Sequence, residues 1–181
     1  MPPLLLAIAA WESAWWAAQK VERRTAYAAA LAEARSRGKS LLIVGASDGE
    51  YGCGDAARGD VVLDLRPDRR CPNHIVGNVE DLSRWRAGTF GAALISFTLE
   101  HTCDPARAWA ELHRVADRVF LVTPHPWRRS GRLLPGRRWT VYKQGNGGGV
   151  RLVPMDGKRC NVASRYGARA LAGLPPMVGR P

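Results

Sequence analysis

The chain is poor in acid, poor in cysteine and without a long uninterrupted apolar run. Its 181 residues carry 16 Asp and Glu against 27 Lys and Arg, a formal net charge of +11. The shortage of acid is uneven. Residues 1–39 are net +3, residues 40–122 are net −3, and residues 123–181 carry twelve basic side chains against the single acid Asp156. A basic end attracts phosphate or an anionic surface, and an Arg- and Ala-rich composition equally follows from the base composition of a genome. No aromatic stacking ladder accompanies the charge, and charge alone gives only salt-sensitive, nonspecific affinity. Nucleic acid is therefore not the favoured partner.

Only four cysteines (Cys53, Cys71, Cys103, Cys160) and four histidines are present. No C-x-x-C pair occurs and no histidine stands at zinc spacing, so no metal site is expected. Scattered thiols in a chain with 46% hydrophobic residues read as reduced residues of an intracellular protein. Length and composition exclude a disordered chain, a disulfide miniprotein and a collagen-like repeat.

The nearest approach to a membrane segment is Leu4 to Ala18, interrupted by Glu12 and Ser13. It lacks a basic n-region and a small-x-small cleavage site, so a cleaved secretory signal is not expected. It is shorter than the roughly 20 apolar residues a spanning helix needs. Trp11, Trp15 and Trp16 cluster as interfacial residues do, and Lys20, Arg23 and Arg24 follow. Two readings stand for residues 4–24: a helix packed on its own domain or a second copy, and a short anchor or interfacial helix at the cytoplasmic face of a membrane. Val21 to Arg37 then forms an Ala-rich helix that Gly38 stops.

Beyond it the apolar runs are short and regularly placed. Leu41–Val44, Val61–Leu63, His74–Val76, Ala92–Phe97 and Val119–Val122 each suit a strand buried on both faces. Pro105 to Val115 is helical in pattern, with Asp104 as N-cap and Pro105 in the first turn. Alternating strands and helices imply an α/β, doubly wound, Rossmann-like and mostly parallel sheet. Trp139–Lys143 and Val150–Val153 around a Gly-rich turn add a C-terminal antiparallel hairpin. The organisation expected is an N-terminal helical segment over 1–38, the main domain over 39–154, and a basic tail over 155–181.

In such sheets ligands bind beyond the carboxyl ends of the strands. The residues there are Gly45, Asp64, Asn78, Ser96 and Thr123. A glycine bend lets backbone approach a ligand, and an acid at the next strand end can accept both ribose hydroxyls. Gly45 and Asp64 stand 19 residues apart, near the spacing of about 20 that this geometry produces.

The run Thr89-Phe90-Gly91-Ala92-Ala93-Leu94-Ile95-Ser96-Phe97-Thr98-Leu99-Glu100-His101, followed by Asp104-Pro105 and Glu111-Leu112-His113-Arg114-Val115, resembles the class I S-adenosylmethionine-dependent methyltransferases, in their small type-11-like branch. Gly77-Asn78-Val79-Glu80-Asp81-Leu82 resembles the segment of that family that approaches adenine, and Val62-Leu63-Asp64-Leu65 the strand whose acid holds the ribose. The likeness covers about residues 41–123. It implies S-adenosylmethionine as cofactor, with Gly45, Gly49, Asp64, Asn78, Val79 and Ser96 around it. The sequence departs from the family where Ile43 and Ser47 replace the acid and a glycine of the glycine motif, where Asn78 replaces an acid, and where Gly91 replaces the acid before the fourth strand.

Methyl transfer needs mainly alignment of donor and acceptor, and a base only where the acceptor arrives protonated. Glu100, His101 and His125 are the candidates, each with a structural alternative as a capping, packing or surface-loop residue. The expectation is a methyltransferase acting on an acceptor that the sequence does not name. The alternative is a catalytically inactive methyltransferase-like binding or scaffold module.

Overall fold

The computed structural model describes residues 3–45, 52–67, 69–124, 137–144 and 149–155. The chain runs α1 (Pro3–Ser36), β1 (Ser40–Val44), β2 (Val61–Asp64), β3 (His74–Val76), β4 (Phe90–Ser96), α2 (Pro105–Val115), β5 (Val119–Val122), β6 (Trp139–Gln144) and β7 (Gly149–Pro154). Short 3-10 turns occupy Ala56–Arg58 and Leu99–His101. The first five strands form one parallel sheet in the order β3-β2-β1-β4-β5. The order reverses between β1 and β4.

The two-residue period of the strands sorts the core into two layers. Leu41 and Ile43 of β1, with Ala92 and Leu94 of β4, face Ala30 and Ala34 of α1. Leu42, Val44, Ala93 and Ile95 face Ala108, Trp109, Leu112 and Val115 of α2. Strands buried on both faces need continuous apolar runs, which is why β1, β2 and β4 were visible in the sequence. The expectation of full burial does not hold for β3 and β5, which are the edge strands and are only partly buried. Close approach of α1 depends on small residues: a Cβ on Gly91 would lie 2.9 Å from Ala34 Cα. That accounts for a glycine where the resembling family carries an acid.

The N-terminal region is one helix of 34 residues, rather than two helical segments. At about 1.5 Å per residue it is about 50 Å long, whereas five-residue β1 spans about 17 Å. Gly38, with φ of 65°, turns the chain from α1 into β1, so α1 runs antiparallel to the strands. Its first half therefore projects past their carboxyl edge. The buried stripe follows helical spacing throughout, from Ala34 and Ala30 to Arg23 and Gln19. It changes from alanine to polar side chains as the helix leaves the sheet. Trp11 and Trp16 are exposed, but no helix among the described residues is long and apolar enough to cross a membrane. The membrane-anchor reading of residues 4–24 is thus not supported.

One ion pair locks the amino edge. Arg35 donates to both carboxylate oxygens of Asp60, at 2.9 and 2.5 Å, and the Leu41 and Asp55 amides donate to the same carboxylate. Burial alone would raise the Asp60 pKa, but these donors outweigh it and hold it below the usual carboxylate value.

The cysteines depart from expectation. Cys53 and Cys71 form a disulfide with a Cα–Cα distance of 5.3 Å, and Cys103 is also disulfide-bonded. Among the described residues none is a free thiol. The reading of reduced thiols is corrected accordingly. Asn73 explains how the first pair meets: its Nδ2 donates to the carbonyls of Cys53 and Asp60, at 2.6 and 2.8 Å. This draws the loop after β1 to the start of β3. Only the 3-10 turn Ala56–Arg58 lies between β1 and β2 among the described residues, and the disulfide ties this connection to the residues before β3.

The hairpin β6–β7 is a separate two-stranded antiparallel sheet. It does not extend the main sheet; it sits over the Leu99–His101 turn at the end of β4. Arg138 N–H donates to Glu100 O at 2.7 Å, and Trp139 Nε1 donates to Thr102 O at 3.0 Å. Lys143 pairs with Glu22 of α1 at 2.5 Å.

Candidate functional site

The carboxyl edge gathers the residues that sequence spacing had selected. Parallel register places Val44 beside Leu63 and Leu63 beside Ile75, so Gly45, Asp64 and Val76 follow at neighbouring strand ends, with Gly77 one residue further. Gly45 N–H donates to Leu63 O at 3.1 Å, and Gly77 N–H to Asp64 O at 3.0 Å. Ser96 ends β4 on the other side of the switch point and is buried. Gly49 and His125 lie outside the described residues.

Gly45 has φ of 78°, in the region that disfavours any side chain. A Cβ there would strike the Thr98 hydroxyl and lie 2.5 Å from Ser96 O. Thr98 itself donates to Ser96 O at 2.9 Å, so the turn after β4 is folded against the glycine bend. The bend is an obligatory close approach between β1 and β4.

Asp64 is half-buried; its Oδ1 accepts from Arg66 N–H at 3.0 Å. Its Oδ2 accepts no hydrogen bond among the described residues and is available to a ligand. Asn78 is exposed, and its Oδ1 accepts from Glu80 N–H at 3.0 Å. Val79 is buried in the core on the α2 side, so it supports this turn from below. Glu80 is a clamp: its Oε1 accepts from the amides of Cys103 and Asp104, at 2.5 and 3.2 Å, ahead of α2. Glu111 and Arg114 play a similar part. Arg114 pairs with Glu111 at 2.7 Å and donates to Leu82 O and Trp85 O, while Glu111 accepts from Leu82 N–H at 2.9 Å. These signature residues bind the β3–β4 connection to α2.

The candidate bases fare differently. Glu100 is fully buried, with neither carboxyl oxygen hydrogen-bonded among the described residues. Burial raises its pKa to about 7, against the opposing pull first of its own backbone N–H and then of the Arg137 and Arg23 guanidinium charges. Both arginines are themselves buried. Arg23 lies with its guanidinium carbon 3.8 Å from the Phe97 ring centroid. Glu100 thus joins α1, the turn after β4 and the approach to β6 through a buried charge cluster. His101 is half-buried, and its carbonyl accepts from Arg138 Nη1 at 2.6 Å.

Phe97 was not among the sequence candidates, although it follows Ser96 directly. Its φ of 48° is the one positive value at a non-glycine residue among those described, a conformation that costs on the order of 1–3 kcal/mol. No sequence signal gives it away, because the strain arises from the switch-point turn and from Arg23 stacked on the ring.

A parallel sheet of this order, with a glycine bend, a half-buried acid and an exposed amide at successive strand ends, defines a Rossmann-like domain. A family model of the methyltransferase domain matches residues 28–118, and the chain belongs to that methyltransferase family. A solved structure from Thermotoga maritima, a SAM-dependent methyltransferase and possible histamine N-methyltransferase, is 18% identical with a TM-score of 0.33. The alignment covers 64% of this chain and 56% of that one, so the chain spans little more than half the length of that relative. No curated protein matches the chain.

Proposed function

We propose that the chain binds S-adenosylmethionine at the carboxyl edge of β2, β1 and β4 and transfers its methyl group to a small acceptor. The observation that carries this reading is the Asp64 carboxylate, with Oδ2 accepting no hydrogen bond among the described residues, one strand away from the Gly45 bend. Asp64 would take the ribose hydroxyls, the Asn78 turn would border the adenine, and Gly45 and Ser96 would flank the remainder. When bound, the cofactor supplies an electrophilic methyl group on a sulfonium. The protein's part is to hold donor and acceptor in line and dry.

A second reading, binding without turnover, is favoured by one observation: Glu100 is enclosed and anchored among arginines rather than open to an acceptor. Acceptors that arrive deprotonated need no base, so the two readings part on turnover alone.

Calorimetric titration with S-adenosylmethionine and S-adenosylhomocysteine tests the cofactor site. Both bind the wild-type chain on this reading, and Asp64→Ala weakens them roughly ten- to hundredfold, as loss of one or two charge-assisted hydrogen bonds requires. No heat from either compound at high protein concentration refutes it. Release of S-adenosylhomocysteine with an acceptor panel separates turnover from binding.

A further inference from the structure

The projecting half of α1 carries apolar surface that the domain does not bury. The sheet takes up the far end of the helix through Ala30 and Ala34, and the hairpin holds its middle through Glu22. From Ala10 to Ala18 no residue is buried; Glu12 and Trp15 are half-buried and the others are exposed. Trp11 is 66% exposed and Trp16 50%. Residues 3–18 carry a single charge, that of Glu12. At about 1.5 Å per residue they make a rod about 24 Å long. A helix apolar around most of its girth is normally a buried one, and exposed apolar surface of this extent marks a contact site.

The order of the charges says what covers it. Glu12, Trp16 and Lys20 stand four residues apart and share one side of the helix. Trp16 therefore has an acid one turn before it and a base one turn after it. Laid antiparallel on a second copy, with Trp16 against Trp16, this row sets Glu12 of each chain beside Lys20 of the other, twice, about a two-fold axis. A parallel pair would set Glu12 on Glu12 and Lys20 on Lys20, like on like. The antiparallel register also puts the aromatic pair at the centre, where such residues carry most of an interface's energy. The charges lie at the rim and fix the direction.

We propose that the first half of α1 is a self-association surface, pairing antiparallel with the same half of a second copy about Trp16. The proposal is independent of the cofactor reading above.

Sedimentation velocity of the full chain over a range of micromolar concentrations tests it. The wild type should sediment as a dimer, and Trp16→Ser should dissociate it. Glu12→Lys and Lys20→Glu, each alone, should weaken the dimer roughly ten- to hundredfold, since each turns two attractive pairs into two repulsive ones. Mixing these two variants should restore the dimer, because the base-rich copy then faces the acid-rich one. Carrying both exchanges in one chain should restore it too. Recovery on mixing separates lost pairing from lost folding. The proposal is overturned by a wild type that stays monomeric, by single variants that dimerise as tightly as the wild type, or by a mixture that does not recover. A monomeric wild type that floats with vesicles of anionic phospholipid also overturns it, and makes a lipid surface the occupant of this half of the helix.

Discussion

Glu100 gives the sharpest physical test of the region that joins α1, the end of β4 and β6. In the folded chain its carboxyl keeps a proton up to about pH 7, against an ordinary value of 4.5. Below pH 4.5 folded and unfolded forms are both protonated, and the favourable contribution is fully present. As pH rises past 4.5 the unfolded chain ionises and the folded chain does not, so stability falls. The loss is complete once the folded carboxyl also ionises near pH 7, and it amounts to about 3 kcal/mol. Glu100→Gln preserves the volume and mimics the protonated form at every pH. Urea unfolding of both proteins from pH 4 to 8, followed by tryptophan fluorescence, isolates this group because the other titrating residues cancel in the difference. The variant should match the wild type near pH 4 and exceed it by about 3 kcal/mol at pH 8. A wild type that gains on the variant as pH rises would refute the reasoning. It would mean that Arg23 and Arg137 hold Glu100 as a carboxylate, in which case breaking the cluster costs about 3–5 kcal/mol.

Two further outcomes follow from the geometry. Gly45→Ala should destabilise the fold by at least about 2 kcal/mol, because it adds the left-handed backbone penalty to a collision with the Thr98 hydroxyl and Ser96 carbonyl; an unchanged urea midpoint would contradict the close β1–β4 approach. Replacing Cys53 and Cys71 together by serine should cost about 3 kcal/mol, the loop-closure value for a sequence separation of 18 residues, and reduction of the wild type should lower its melting temperature.

Much of the carboxyl edge was legible in the sequence because it is local. A strand buried on both faces must be an apolar run, and its end is marked by the first glycine, acid or amide after it. Gly45, Asp64, Asn78 and Ser96 were found that way, and parallel register then brought them into line. The departures of the glycine motif were legible too, and one has a packing cause in the Gly91–Ala34 contact. The signature acids Glu80 and Glu111 were visible as a pattern, but their work as clamps on α2 and on the loop before β4 was not.

What the sequence alone determined is periodic and near-neighbour: the five strands of the parallel sheet, the α2 cap at Asp104, the stop at Gly38, and membership in a methyltransferase family. What the tertiary structure decided depends on residues far apart in the chain. It closed Cys53 on Cys71, carried α1 past the sheet as a single helix, laid the hairpin on the β4 turn as its own sheet, and enclosed Glu100 between two arginines. A pocket lined by Trp15, Gln19 and Glu22 of α1, by Thr123 and Pro124 after β5, and by Val141, Tyr142 and Lys143 of β6 belongs to the second group. Local spacing encodes direction and burial along one element. Contact between elements is set by how the layers stack, and no period of the sequence records it.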